Sequence, residues 1–510
     1  MAENMSTGGT TPPAPQPRQG HPAEDGAPEN PWPALWALVL GFFMILVDST
    51  IVSIATPALM SHFHAGITEV LWVTSAYLLA YAVPLLITGR LGDLVGPKRV
   101  YIAGLAVFTL SSLWCGLTGS ITGLVVARVV QGLGASLMTP QTMSVITRTF
   151  PPDRRGGAMA LWGATAGIAA LVGPILGGFL IDALGWEWIF FVNVPVGVLG
   201  MVLAWRLVPD LTTHARSFDW VGVTLSAVGL FCGVFALQEG STYDWGTIVG
   251  PISVPLLLAV GTVLLVAFVW WQSRVRTEPL VPLSLFRDRN FSLSNIAITA
   301  VGFSVTAFAF PFTIYAQAVR GLPPTGAALL LAPQAVMSLV LARPVGKLVD
   351  NTHPRILAGI GILGWSVSIF ALTRLMVPGS PTWAILLNAV AIGTFSSLVW
   401  GPLATSASRN LPRELAGAGS GVYNTTRQIG SVLGSAAIAA LMQARIAARL
   451  PGAGEGAGAA AMGGGGGAMP PAVADQFARA LAETMLLPAT VLLIAWVAAL
   501  FYQRPRHLAH

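Results

Sequence analysis

The run from Phe42 to Pro57, FFMILVDSTIVSIATP, is apolar enough to lie in a bilayer, yet it holds a carboxylate, Asp48, near its middle. A charged acid at the membrane centre costs about 2.5–3.5 kcal/mol on insertion scales. Such a group either changes protonation during a working cycle or is neutralised by a fixed partner, and a static ion pair is the plainer alternative. The natural partner is Arg128, an arginine inside a second apolar stretch, with Gln131 one turn further along. A rise of about 1.5 Å per residue brings Asp48 and Arg128 to comparable depth. A nearby cation favours the ionised carboxylate, whereas burial away from it favours the protonated form. A movement that alters their contact would therefore tie proton uptake to conformation.

These residues need helices in lipid to hold them. The chain has 510 residues, 54% hydrophobic and only 9% charged, against about 25% charged in soluble proteins. Only helices or closed barrels satisfy their backbone in a bilayer, and the short alternating segments of a barrel are missing from the sequence. The pattern predicts an all-α polytopic membrane protein. Its fourteen apolar segments lie near 34–55, 70–89, 101–119, 121–145, 157–181, 187–206, 218–238, 247–271, 292–317, 326–345, 356–376, 382–404, 415–442 and 481–502. Residues 1–31, rich in Pro, Gly and Gln, read as a disordered cytoplasmic tail without the order of a cleavable signal. Cys115 and Cys232, far apart in apolar helices, read as packing residues, and His62 and His64 in the first outer loop are weak grounds for a metal site.

With both termini cytoplasmic, most of the Lys and Arg residues fall in cytoplasmic connections and tails. The outer connections then hold only Arg320, Arg374, Arg445, Arg449 and Arg479. This bias fixes the expected orientation in an inner membrane and explains the net charge of +6 without nucleic acid. Gly89-Arg-Leu-Gly-Asp93 through Pro97-Lys98 is echoed by Gly346-Lys-Leu-Val-Asp350 through Pro354-Arg355 at one constant offset. Duplicated halves are a transporter architecture. The expected organisation is a six-helix bundle over 32–210, two inserted helices over 211–275, and a second six-helix bundle over 276–505 with a Gly-rich outer loop at 451–471.

Several stretches resemble the major facilitator superfamily, specifically its fourteen-helix drug:proton antiporter branch. Gly89–Arg99 (GRLGDLVGPKR) is similar to the signature between helices 2 and 3, Leu46–Pro57 to the helix 1 motif with its acid, and Arg128–Ala135 (RVVQGLGA) to the helix 4 motif. Gly173–Gly178 (GPILGG) is similar to the antiporter motif, and Asn424–Gly434 (NTTRQIGSVLG) to the penultimate helix. Trp186–Pro195 (WEWIFFVNVP) resembles the entrance to helix 6, with Glu187 where the family commonly has Arg. The resemblance implies proton coupling at Asp48 and Arg128, a conformational latch at Gly89, Arg90, Asp93, Arg99, Gly346 and Asp350, and control of exchange direction by Gly173, Pro174, Gly177 and Gly178. Simple helix packing accounts for the glycines equally well, and topology alone accounts for much of the basic loop.

The predicted helices 9–14 carry no acid away from their ends. Trp72, Tyr77, Trp162, Phe310 and Tyr315, with Gln131, Asn424 and the intramembrane Arg427, are candidates to line a substrate cavity, and Trp400 is a further aromatic. Aromatic faces with few fixed charges suit hydrophobic or cationic organic molecules through dispersion and cation–π contact. The expected function is a proton-coupled antiporter that exports drug-like compounds by alternating access. An exporter of an endogenous metabolite or lipid is the competitor. No H-E-x-x-H, P-loop or His/Cys/Asp cluster points to an enzyme, a metal or a nucleotide. The partners are then protons, lipid and small substrates, and the proton gradient is the energy source in place of a cofactor.

Overall fold

In the computed structural model, residues 30–503 are described, apart from 53–54, 66, 152–153, 214–218, 241–242, 276–278, 412–414 and 451–470. Most of the amino-terminal tail and the Gly-rich loop predicted from sequence lie outside the described residues.

The first half comprises α1 (Trp32–Ile51), α2 (Thr56–Phe63), α3 (Ile67–Ala82), α4 (Leu85–Val95), α5 (Pro97–Leu117), α6 (Ile121–Thr149), α7 (Arg155–Leu184), α8 (Trp188–Phe191) and α9 (Asn193–Leu207). Two inserted helices, α10 (Trp220–Glu239) and α11 (Val254–Arg274), are joined by a small hairpin of β1 (Thr247–Val249) and β2 (Ile252–Ser253). The second half comprises α12 (Arg289–Ile314), α13 (Pro324–Leu330), α14 (Ala332–Asn351), α15 (Pro354–Leu375), α16 (Thr382–Ser408), α17 (Ala416–Arg449), α18 (Pro471–Thr484) and α19 (Leu486–Leu500). Each of the fourteen predicted segments has a helical counterpart. Among the described residues, 11 helices are long and apolar enough to cross a membrane, and α3 with α4 makes a further span bent by 46°.

Several predicted helices are broken where proline interrupts the backbone ladder. Pro84 lacks the N–H that would continue α3 into α4. Pro333 opens α14 behind the break at Leu331. Pro311 lies one turn before α12 gives way to a π-helical turn, Tyr315–Val319. The predicted segment at 247–271 differs at its start, because the hairpin occupies 247–253 and the helix begins only at Val254.

The halves meet along two seams. On one, α7 packs along α13, α14 and α16; on the other, α17 packs along α4 and α6. At the end carrying the basic connections, Ser420 Oγ of α17 donates to the Pro140 carbonyl of α6 at 3.0 Å, and a Cβ at Gly421 would lie 3.1 Å from the Leu85 carbonyl. At the opposite end a Cβ at Gly178 of α7 would come within 3.1 Å of Thr325 of α13. Both seams are therefore closed at these points.

The inserted pair lies across the α3–α17 side. Val234 of α10 packs between Leu79 of α3 and Val432 of α17, and Phe235 meets the Trp72 ring at 5.5 Å. Asp219 ties the pair together at the basic end. Its carboxylate accepts from the Gly222 N–H at 2.8 Å, Trp271 Nε1 at 3.0 Å and Gln272 Nε2 at 2.6 Å, while Gln272 Oε1 accepts from the Val281 N–H at 3.1 Å.

Candidate functional site

Asp48 sits near the end of α1 and is fully buried, as are Arg128 and Gln131 on α6. Arg128 Nη1 donates to Asp48 Oδ2 at 2.5 Å. The other carboxylate oxygen, Oδ1, accepts from Gln131 Nε2 at 3.0 Å and from Asn193 Nδ2 of α9 at 3.0 Å. Arg128 also donates through Nη1 to Gln131 Oε1 at 2.7 Å and through Nε to the Val73 carbonyl at 3.1 Å. Its guanidinium lies over the Tyr77 ring, 4.0 Å from the centroid. Asn193 Nδ2 also donates to Ser112 Oγ of α5 at 3.0 Å, and Cys115 Sγ reaches Gln131 Oε1 at 3.7 Å.

Five helices, α1, α3, α5, α6 and α9, thus converge on one carboxylate inside the first half. Its charge is matched by a cation and by hydrogen bonds to both oxygens, which is what a buried ion pair needs to offset desolvation. Arg128 Nη2 stays without a hydrogen-bond partner among the described residues. The sequence brought out Asp48, Arg128 and Gln131 as a group. It did not bring out Asn193 or Ser112 as members, and it assigned Cys115 to packing alone. The available signal was an asparagine inside the apolar run WIFFVNVP.

The glycine motif lies against the same element. On α7 a Cβ at Gly173 would collide with Thr50 Oγ1, and one at Gly177 would come within 2.7 Å of Ile51 Cγ1. Backbone contact between α7 and α1 one turn beyond Asp48 therefore requires glycine there. The Pro174 side chain lies outside the described residues, as does that of Asp350.

At the basic end, Gly89, Arg90 and Asp93 are buried in α4, neither Arg90 nor Asp93 is free of partners, and Arg99 is exposed. Lys98 pairs with Asp210 after α9 at 3.1 Å. A cavity of about 510 Å³ joins Arg90 to Gln272 of α11, Arg287 and Leu415, so α4 does face the second half there. Gly346, in the echo of this motif, is buried in α14.

The remaining cavity candidates disperse. Tyr77 belongs to the Asp48 network. Trp162 is buried and stacks on Phe42 at 4.7 Å, and Trp400 packs against Gly163. Trp72 meets the inserted α10. Phe310 is 51% exposed on α12. Tyr315 donates to the Val377 carbonyl at 2.8 Å within the second half. Asn424 Nδ2 donates back to the Ser420 carbonyl at 3.0 Å. Arg427 reaches across the seam to Tyr81, a residue the sequence did not single out, at 3.4 Å. Among the described residues no group of acidic, His or Cys side chains has the make-up of a metal site.

The duplicated bundles with an inserted helix pair, and a buried ion pair in one bundle, define a polytopic transporter. The Major Facilitator Superfamily profile matches residues 38–435, and the chain belongs to that family. An uncharacterized MFS-type transporter of Mycobacterium tuberculosis is 50% identical over 92% of this chain and 81% of its own length. A tetracenomycin C resistance and export protein of Streptomyces glaucescens is 33% identical over 84% of this chain and 78% of its own. Among solved structures, the proton:xylose symporter XylE shares the fold at a TM-score of 0.60 and 13% identity, covering 91% of this chain and 94% of that one.

Proposed function

We propose that this membrane transporter is an antiporter that exports small, largely hydrophobic compounds across the bacterial inner membrane in exchange for protons, with both termini cytoplasmic. The observation that carries the reading is the fully enclosed Asp48 network. A carboxylate held by Arg128, Gln131 and Asn193 inside one bundle is expensive to bury and, among the described residues, has its hydrogen bonds within that bundle, so its use lies in protonation. When the halves rock, α1 and α6 shift against each other, Arg128 draws back, and a proton takes its place on Asp48. Closing again expels that proton on the other side. Few protons move per cycle, since Asp48 is the acid deepest in the apolar part of the described helices. The motif around Arg90 and Asp93 holds the basic end closed in one state and releases it in the other, a two-state interface of the rocking kind. Energy comes from the proton gradient, with no nucleotide or other cofactor.

The test uses inverted vesicles with a preset pH gradient. The probes are three naphthalene compounds whose charge does not change with pH: anionic naphthalenesulfonate, neutral naphthalenemethanol and cationic naphthylmethyl-trimethylammonium. None carries protons across lipid by itself. Wild type is expected to dissipate part of the gradient on addition of at least one probe, and inserted Asp48→Asn protein to dissipate none. Equal dissipation by both proteins contradicts the reading. The relative that confers tetracenomycin C resistance and export favours a second version, in which the physiological substrate is a metabolite made by the cell, with the same coupling.

A further inference from the structure

Arg427, like Arg128, lies inside an apolar helix, and its surroundings are the opposite of those of Arg128. It lies on the face of α17 that carries Ser420 and Asn424, and that face meets the first half through the hydrogen bond from Ser420 to Pro140. Its guanidinium makes one long side-chain hydrogen bond, from Nη2 to Tyr81 Oη at 3.4 Å. Tyr81 is itself held by Thr139 of α6 at 3.0 Å. Among the described residues Arg427 Nε is buried without a hydrogen-bond partner, and so are Tyr423 Oη and Asn424 Oδ1 on the same helix. Among the described residues no carboxylate forms an ion pair with Arg427, whereas Arg128 holds Asp48 at 2.5 Å.

A guanidinium in an apolar interior calls for a counter-ion. Between the halves the described residues offer none. Asp48 faces into the first half, Asp93 lies at the basic end, and the other described acids lie in connections or at helix ends. The guanidinium fork presents paired N–H donors in one plane, a match for the oxygens of a carboxylate or sulfonate. Buried aromatic rings lie on both halves, with Phe42 stacked on Trp162 in the first and Tyr423 one turn from Arg427 in the second.

We propose that Arg427 is the specificity-determining residue of the transport site and that the exported compound is an aromatic organic anion, whose acidic group takes the guanidinium as its partner. The inference rests on the transport reading above and deepens it by naming the substrate class. It departs from the cationic substrates that aromatic residues alone suggested. An anion leaving the cell and a proton entering it both move with an inside-negative potential, so such an exchange is driven by voltage as well as by pH.

The same vesicle assay tests it with the same three probes. In wild type, naphthalenesulfonate is expected to dissipate the gradient fastest. Arg427→Gln lowers the anion's initial rate by about tenfold or more, as loss of a charge-assisted hydrogen bond does, while naphthalenemethanol changes by less than about twofold on the same scale. Arg427→Lys keeps the charge but not the fork, and restores the anion rate in part. The ratio of anion to neutral rate within one variant is insensitive to how much protein is inserted. An unchanged ratio in Arg427→Gln, or a wild-type preference for the cation, overturns the inference. If the neutral or cationic probe alone works through an Asp48-dependent route, the transport reading stands and the anion inference falls. If no probe dissipates the gradient, both fall.

Discussion

At the residue scale, Asp48 is held from both sides of its carboxylate. Each of its oxygens is engaged, and removing one donor weakens the ionised state without removing the acid. Asn193→Ala deletes one hydrogen bond to a charged group, worth about 1.5–3 kcal/mol. The expected outcome is a coupled transport rate lowered about tenfold with proton coupling retained, read as the ratio of gradient dissipation to substrate moved. An uncoupled Asn193→Ala protein would show that the asparagine carries the proton path itself. The acid and its arginine were legible in the sequence because each is a charge in an apolar run, and charges there are rare enough to pair by elimination. Asn193, Ser112 and Tyr81 were not legible, because neutral polar residues are common in membrane helices and only the crossing of helices shows which of them converge. Phe310 illustrates the same limit from the other side. An aromatic at the right depth says nothing about the face it occupies, and this one is half exposed on α12.

At the scale of elements, two devices bear on the site. The first is the contact of α7 with α1, where Gly173 and Gly177 leave room for Thr50 and Ile51. Gly173→Val forces these helices apart one turn from Asp48, and is expected to abolish coupled transport while the protein still inserts, as measured by substrate-dependent gradient dissipation. Wild-type rates in that variant would reduce the motif to a tolerant packing stripe. The second device is the inserted pair. Burial by itself raises the Asp219 carboxyl, but the N–H groups of Gly222, Trp271, Gln272 and Leu280 outweigh it and hold the group below its ordinary value. A carboxylate depressed in the folded state contributes stability above its unfolded value, about 3.9. That contribution is lost as pH falls through the lower folded value. Thermal unfolding in detergent is therefore expected to show a loss of stability confined to pH below about 4, and Asp219→Asn to flatten that acid limb and lower the midpoint at neutral pH. An unchanged neutral midpoint would show that Asp219 does not hold the inserted pair together. The apolar segments were readable from their length, and each has a helical counterpart among the described residues. The position of α10 against Leu79 and Val432 depends on packing between distant segments, whereas the breaks at Pro84 and Leu331 lie at or near prolines that apolar length alone passed over.

At the scale of the whole molecule, two homologous halves close on each other along two seams, and the proton site lies within one half. Transport then requires the seams to part in turn. Gly421 of α17 sits against Leu85 and Leu86 of α4, so a cysteine pair at Leu86 and Gly421 is expected to cross-link under oxidation, to stop transport, and to recover on reduction. Undiminished transport by the cross-linked protein would mean that this seam does not open. The central claim is that substrate and proton exchange at one protein through Asp48, and its most direct measurement is proton release from the purified transporter. In weakly buffered detergent solution, saturating substrate is predicted to release protons from wild type in proportion to the protein present, and to release none from Asp48→Asn that still binds the same substrate. Equal release from both proteins, or none from wild type at saturation, would contradict the account.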